Sequence, residues 1–233
     1  MFFYEVYDSD QSKLLYPVNY LRNYARMQVR TRLLAMVDVD MYLSASLSAE
    51  MEAEGRWAGR VTYKRFYEPW FITCEEIMPW YDVDFRGYGM NKIILIAALN
   101  YYNYSFWIHP AAWLVHNPHT DTEVRKVVAE EASQVNKHRA VLPANALYRK
   151  LTQLFGKAKR GMMRGSYTPR TDPRQMAVYD VVRWLPRPPQ LHRVPLGTAG
   201  GGRRVRRHLI CKRRGCSGLV ITGRHLRHWP SLY

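Results

Sequence analysis

An α/β fold is the class this sequence predicts, and three observations predict it. Leu33-Leu34-Ala35-Met36-Val37 is an apolar run of strand length that ends in Asp38-Val39-Asp40. Segments with apolar residues at helical spacing lie on both sides of that run. Short aromatic and aliphatic runs recur between the helical segments, and strands interleaved with helices argue for helices layered on a sheet.

Each element has a local reason. Pro17 can open a helix, because a first-turn proline forfeits no hydrogen bond. Val18, Leu21, Ala25 and Val29 mark its apolar face, and Asn19, Arg22, Asn23 and Arg26 lie away from that face. Arg30-Thr31-Arg32 then leads into the strand over 33–37. Residues 67–73 read as a strand, with Pro69 favouring an edge. Residues 86–92 form a loop containing Gly87 and Gly89, followed by a helix over 93–99. Two short strands, 104–108 and 111–115, flank His109-Pro110. Thr120 and Glu123 fit a capping box, in which hydroxyl and carboxylate take up free amides at a helix start. That helix is expected to run to about 137. A last one over 144–155 carries Leu147, Leu151, Leu154 and Phe155 on one face, and Gly156 can end it in the left-handed conformation.

Beyond about residue 165 the patterning fails, and no packed core is expected there. Residues 1–165 are therefore read as one globular domain and 166–233 as a basic, disordered tail. The chain has 233 residues and a formal charge of +16, and 47% hydrophobic content is enough for a core. Residues 171–233 hold 13 Lys/Arg against two Asp/Glu, whereas residues 1–170 hold 22 against 17, so the excess charge belongs mostly to the tail. No apolar run approaches the roughly 18 residues of a membrane helix. The N-terminus lacks the pattern of a signal peptide. Three cysteines, Cys74, Cys211 and Cys216, cannot form a disulfide framework.

Side chains at i and i+2 of an extended segment point the same way. Asp38 and Asp40 would then converge at the end of their strand, where open α/β sheets place ligands. Two hard oxygens there suit Mg²⁺ or Mn²⁺, and such an ion grips a diphosphate. A solvated strand-to-loop transition with a surface acid pair accounts for the same residues equally simply.

Four ordered blocks carry a resemblance to a known family. They are Tyr16-Pro17-Val18-Asn19-Tyr20-Leu21-Arg22-Asn23-Tyr24-Ala25, Phe66-Tyr67-Glu68-Pro69-Trp70, the Tyr81-Asp82-Val83-Asp84-Phe85-Arg86-Gly87-Tyr88-Gly89-Met90-Asn91-Lys92 block, and Val115-His116-Asn117-Pro118-His119. Together they resemble the LARGE-like glycosyltransferases, which include the glucuronyltransferase domain of the LARGE xylosyl- and glucuronyltransferases and beta-1,4-glucuronyltransferase. The resemblance covers about residues 16–155. It implies a partial GT-A-like, Rossmann-like domain in the Golgi lumen. The implied reaction is metal-dependent and inverting: a sugar, glucuronic acid in this family, moves from a UDP-sugar to a glycan hydroxyl.

The resemblance also implies roles. Asp38 and Asp40 become the prime ligands for Mn²⁺ or Mg²⁺, with Asp40 in direct contact and Asp38 acting partly through water. His116 is the third ligand candidate, against a histidine simply accommodated at a strand end. His119 is a weaker ligand candidate, against a polar residue flanking a helix, and His109 reads as structural. Inversion needs a base for the acceptor proton, and Glu68, Asp82 and Asp84 are the carboxylates near matched blocks. Arg22, Asn23, Gly87, Gly89, Asn91 and Lys92 are candidates for holding the donor. Trp57, Trp70 and Trp80 either stack on sugar rings or pack in the core.

Only 15 residues precede Tyr16, and Asp40 and Glu68 are 28 apart. Both intervals are short for the family, so a truncated copy is expected, and a catalytically inactive paralogue or fragment is the first alternative. A second alternative is nucleic-acid binding through Arg203-Arg204-Val205-Arg206-Arg207 and Lys212-Arg213-Arg214, whose cations would act by counterion release. Cys211, Cys216, His225 and His228 only loosely approach a zinc pattern.

Overall fold

The computed structural model describes residues 14–31, 33–44, 59–108, 113–182 and 217–221. His109, Trp57, the arginine-rich run at 203–207, the basic run at 212–214, and Cys211, Cys216, His225 and His228 lie outside the described residues. In chain order the elements are α1 (Val18–Met27), β1 (Leu33–Met36), β2 (Met41–Leu43), β3 (Gly59–Val61), β4 (Trp70–Cys74), α2 (Asn91–Tyr101), β5 (Ser105–Ile108), β6 (Leu114–His116), α3 (Glu123–His138), α4 (Leu147–Met163), α5 (Pro173–Val182) and β7 (Ser217–Ile221).

Helices and strands are mixed along the chain, consistent with an α/β class, but the sheets are mainly antiparallel. The larger runs in the order β1-β4-β7-β5-β3, and the smaller is the ribbon β2-β6. Among the described residues only β5 and β7 pair in parallel. Parallel pairing needs a long crossover, and the stretch holding α3, α4 and α5 supplies one between those two strands. The acid pair does follow the end of a strand, but that strand belongs to a mainly antiparallel sheet. Asp38 and Asp40 lie in the junction where the chain leaves β1 of the large sheet and enters β2 of the ribbon.

α2 is the hub of the core. Ile93, Ile94, Leu95, Ile96, Ala98 and Leu99 are all buried, so the helix is apolar around most of its circumference. Leu95, Ile96 and Leu99 face Met36, Phe71 and Phe106 of the sheet. Ile93, Ile94 and Ala98 face Leu151, Phe155, Ala158 and Met162 of α4. Each such aliphatic side chain contributes about 1.5–3 kcal/mol when fully removed from water. The hub holds the 86–92 loop, which feeds α2, in a fixed place.

Four local expectations change. α1 buries its polar face: Asn19, Asn23, Arg26 and Met27 are inside, while Ala25 is exposed. The amides make this possible by bonding to backbone groups, as described below. α3 is capped by Thr122, whose side chain accepts from the Arg125 amide, rather than by Thr120. α4 does not stop at Gly156 but continues to Met163, because Ala158 and Met162 extend its buried face. Packing also continues past residue 165. Tyr167 sits against the α2–α4 core, Gln175 of α5 is 1% exposed, and Trp80 meets Tyr179 edge-on at 4.8 Å. β7, from the region read as tail, lies between β4 and β5. No helix of the described residues is long and apolar enough to cross a membrane.

Candidate functional site

Two adjoining polar groups occupy the junction after β1. The first is centred on Asp40. Its Oδ2 lies 3.0 Å from Nε2 of His116 and 3.0 Å from Nε2 of His119. The ribbon register sets Met41 opposite His116, and the Asn117 amide donates to the Asp40 carbonyl at 2.8 Å, so β2–β6 pairing is what brings the acid to the imidazoles. His119 Nδ1 donates to the Thr120 carbonyl at 2.7 Å. That bond assigns the proton to Nδ1 and turns Nε2 toward Asp40 as a potential ligand atom. The Thr120 carbonyl, followed by Asp40, raises the His119 pKa above its ordinary value.

One oxygen and two imidazole nitrogens, all within 4.8 Å of one another, form a donor set that fits a divalent ion. A second observation supports the fit: Asp40 Oδ1 is buried and has no hydrogen-bond partner among the described residues. A buried, unpartnered carboxylate oxygen is costly unless a cation takes it up.

The second group is centred on Lys92, whose ammonium lies 2.6 Å from Asp38 Oδ2 and 3.0 Å from Glu68 Oε1. Trp70 Nε1 donates to the same Asp38 oxygen at 3.1 Å, and the Trp70 ring lies 5.1 Å from the ammonium. Arg22 approaches Asp38 Oδ1 at 3.6 Å. Burial on its own would raise the Asp38 pKa, but Lys92, Trp70 and Arg22 outweigh it and hold the carboxyl below its ordinary value.

Asp38 and Asp40 therefore do not converge. The extended backbone stops at Met36, Val39-Asp40 is a turn, and the Met41 amide donates to the Asp38 carbonyl at 3.1 Å. The i/i+2 rule for strands does not apply across a turn. Asp38 faces the cations, and Asp40 faces the histidines.

The remaining candidates divide. Arg22 donates to Asn19 Oδ1 at 3.0 Å and Asn91 Oδ1 at 2.8 Å, and Asn91 in turn donates to the Gly87 carbonyl at 3.0 Å. Arg22 and Asn91 thus brace the wall around Asp38. Asn23, wholly buried, is a structural clamp: it donates to the Tyr81 carbonyl and accepts from the Tyr81 amide, both at 2.9 Å. Asp82 is buried and accepts from Tyr167 Oη at 2.9 Å and the Asp84 amide at 3.1 Å. Asp84 pairs with Arg170 at 3.1 Å. Those two acids tie the loop to the segment before α5, which leaves Glu68 as the candidate base beside the centre.

Gly87 and Gly89 have internal work. Gly87 has φ +69°, and a Cβ there would lie 2.1 Å from the Leu14 carbonyl oxygen. Gly89 has φ +93°, with Leu151 Cδ1 at 3.5 Å from a Cβ position. The close backbone approach expected for a ligand is made instead to the chain's own residues. Trp80 is partly buried and lies beneath the Arg26 guanidinium at 4.1 Å.

The sequence held His119 only as a weaker ligand candidate and Trp70 as a stacking or core residue; the structure sets His119 against Asp40 and Trp70 against Asp38. The His-x2-His spacing of His116 and His119 was the available signal for the first.

An acid set between two imidazoles, next to a lysine set between two acids, makes a candidate cation-binding centre on an α/β scaffold. Residues 4–54 and 48–149 match the family model described as glycosyl-transferase for dystroglycan. That is more than half of the chain, and the chain belongs to this glycosyltransferase family. Over 66 residues it is 35% identical to the glycosyltransferase-like protein LARGE of Caenorhabditis elegans, covering 28% of this chain and 10% of that protein. Over 60 residues it is 35% identical to the xylosyl- and glucuronyltransferase LARGE1 of Homo sapiens and 37% identical to that of Danio rerio, covering 26% of this chain and 8% of each. The chain spans about a tenth of the length of the curated relatives it matches.

Proposed function

We propose that this chain carries the donor-handling centre of a metal-dependent glycosyltransferase of GT-A-like type, acting in the Golgi lumen on a UDP-sugar and a glycan hydroxyl. The observation that carries the reading is Asp40 between His116 and His119, with one carboxylate oxygen buried and unpartnered. Those three residues would hold the ion, and their mixed oxygen and imidazole character favours Mn²⁺ over Mg²⁺. A bound divalent ion would supply charge neutralisation for a departing diphosphate.

The protein's own groups do the rest. Lys92 orients Asp38 and Glu68. Glu68, which reaches solvent, takes the proton of the acceptor hydroxyl as that oxygen bonds to the anomeric carbon and the carbon–UDP bond breaks. Asp38 keeps Lys92 and Arg22 in place, so its part is positioning. Glucuronic acid as the donor sugar rests on the family likeness.

Calorimetric titration of UDP, with and without Mn²⁺, tests the reading. Wild type should bind UDP more tightly with Mn²⁺ present. Asp40→Ala and His119→Ala should each lose that increment, with metal affinity falling by more than the about 10–100-fold lost when a residue that merely orients a ligand is changed. Equal UDP binding with and without the ion would remove the proposal. Metal-dependent UDP binding with no sugar transfer would identify a binding-only member of the family.

A further inference from the structure

One motif outside the candidate centre carries chemistry of its own. The chain has eight asparagines, and only Asn103 is followed two residues later by a serine or threonine, in Asn103-Tyr104-Ser105. Asn-x-Ser/Thr, with x other than proline, is the acceptor pattern for an N-linked glycan. A triplet this short recurs by chance, and its place in the fold decides what it can do.

That place is a surface turn. Asn103 lies between α2 and β5 and is exposed, and Tyr101 and Tyr102 just before it also present exposed rings. Its φ of +62° is left-handed, a region in which asparagine is enriched. Backbone bonds close the turn: the Asn103 amide donates to the Asn100 carbonyl at 3.1 Å, and the Tyr104 amide to the Leu99 carbonyl at 3.0 Å. Among the described residues the Asn103 carboxamide itself has no hydrogen-bond partner. Asn19, Asn23 and Asn91 instead donate theirs to backbone carbonyls of other segments. The turn is also at the far end of α2 from Lys92, since Lys92 and Tyr101 lie about 14 Å apart along a helix that rises 1.5 Å per residue. A bulky, polar group attached there starts well away from the candidate centre.

We propose that Asn103 is an acceptor for an N-linked glycan. The proposal rests on the lumenal placement given above, because N-linked transfer takes place on the lumenal side. The Asn103 carboxamide nitrogen bonds to the anomeric carbon of an oligosaccharide carried on a lipid diphosphate. The carbon–oxygen bond to that diphosphate breaks, and the lipid diphosphate leaves with the electron pair. The nitrogen gives up one proton to a basic group of the transferring enzyme. Ser105 supplies the hydroxyl that this enzyme reads. It is the first residue of β5, and β3 pairs only as far as Phe106, so the triplet sits at the open end of the strand beside the turn.

The test expresses the full chain in eukaryotic cells behind a cleavable signal sequence, with a C-terminal tag holding one Asn-Gly-Thr that reports passage into the lumen. Digestion with peptide N-glycosidase, gel mobility and peptide mapping then count the glycans and locate them. The wild-type chain should carry two, one on the tag and one on Asn103. Asn103→Gln and Ser105→Ala should each lose the second and keep the tag glycan. Ser105→Thr, which keeps the hydroxyl, should carry both. N-linked transfer acts on chain that has not yet folded, so a variant that folds poorly still reports.

A wild-type chain glycosylated on the tag and bare at Asn103 overturns the proposal, as does a second glycan that survives both Asn103→Gln and Ser105→Ala. The same secreted protein, titrated with UDP and Mn²⁺, separates this site from the transferase reading. Metal-dependent UDP binding by a chain bare at Asn103 ends the acceptor site and leaves the transferase reading standing. A glycan on Asn103 in a protein with no metal-dependent UDP binding does the reverse.

Discussion

Asn19 and Asn23 show how a polar side chain can act as core. Both are 0% exposed. Asn19 donates to the Asp82 carbonyl at 2.9 Å, and Asn23 makes a two-way bond with the Tyr81 backbone. Replacing Asn23 with Ala strands a buried amide and a buried carbonyl, at about 1–3 kcal/mol for each group. Asn23→Ala should therefore lose roughly 3 kcal/mol in urea denaturation. Asp82 bears on acid behaviour. Burial raises its pKa above 3.8, and the Asp84 amide and the Tyr167 hydroxyl pull it back only in part. From 3.8 up to the raised value the folded state binds more protons than the unfolded state, so Asp82 makes stability fall as pH rises through that window. Asp82→Asn does not titrate, so its stability should fall less than that of wild type as pH is raised from about 4 in a denaturation series. At this scale the sequence was partly readable. Asp40 and His116 stood out by residue type and by block. The partner of Asp38 did not, because Lys92 is 54 residues away and only the packing of α2 brings it there.

Elements were recovered better than their faces and ends. The apolar period of α1 suggested which side was buried, but backbone hydrogen bonding to Asn19 and Asn23 won over periodicity. Gly156 suggested a stop, but Ala158 and Met162 continue the buried stripe and carry α4 to Met163. Gly156 of α4 and Gly87 of the loop before α2 should respond in opposite directions. A Cβ at Gly156 meets only the end of the Arg160 side chain, at 3.5 Å. Gly156→Ala should add about 0.5–1 kcal/mol by reducing the freedom of the unfolded chain. Gly87→Ala combines a left-handed φ with a backbone collision at 2.1 Å. It should destabilise by more than about 2 kcal/mol, seen as an earlier unfolding midpoint.

Across the whole molecule, the α/β class and the helices behind the sheet were legible, because helical and strand periods differ along the chain. The sheet order was not. Ser217–Ile221 has no flanking pattern that announces a strand, yet β7 bonds to β4 on one side and β5 on the other. Without it, β1–β4 and β3–β5 would be two separate antiparallel pairs, each with a bare edge. Ending the chain after residue 182 should therefore broaden thermal unfolding and raise light scattering relative to the full chain.

That central place for β7 also sets an order of events during synthesis. β4 and β5 have no common neighbour until residue 221 has been made, although α1 to α5 are by then already on hand to collapse around α2. A nascent chain held at the ribosome would wait with two unzipped edges, a situation that calls for a chaperone and favours slow, late closure over stepwise assembly.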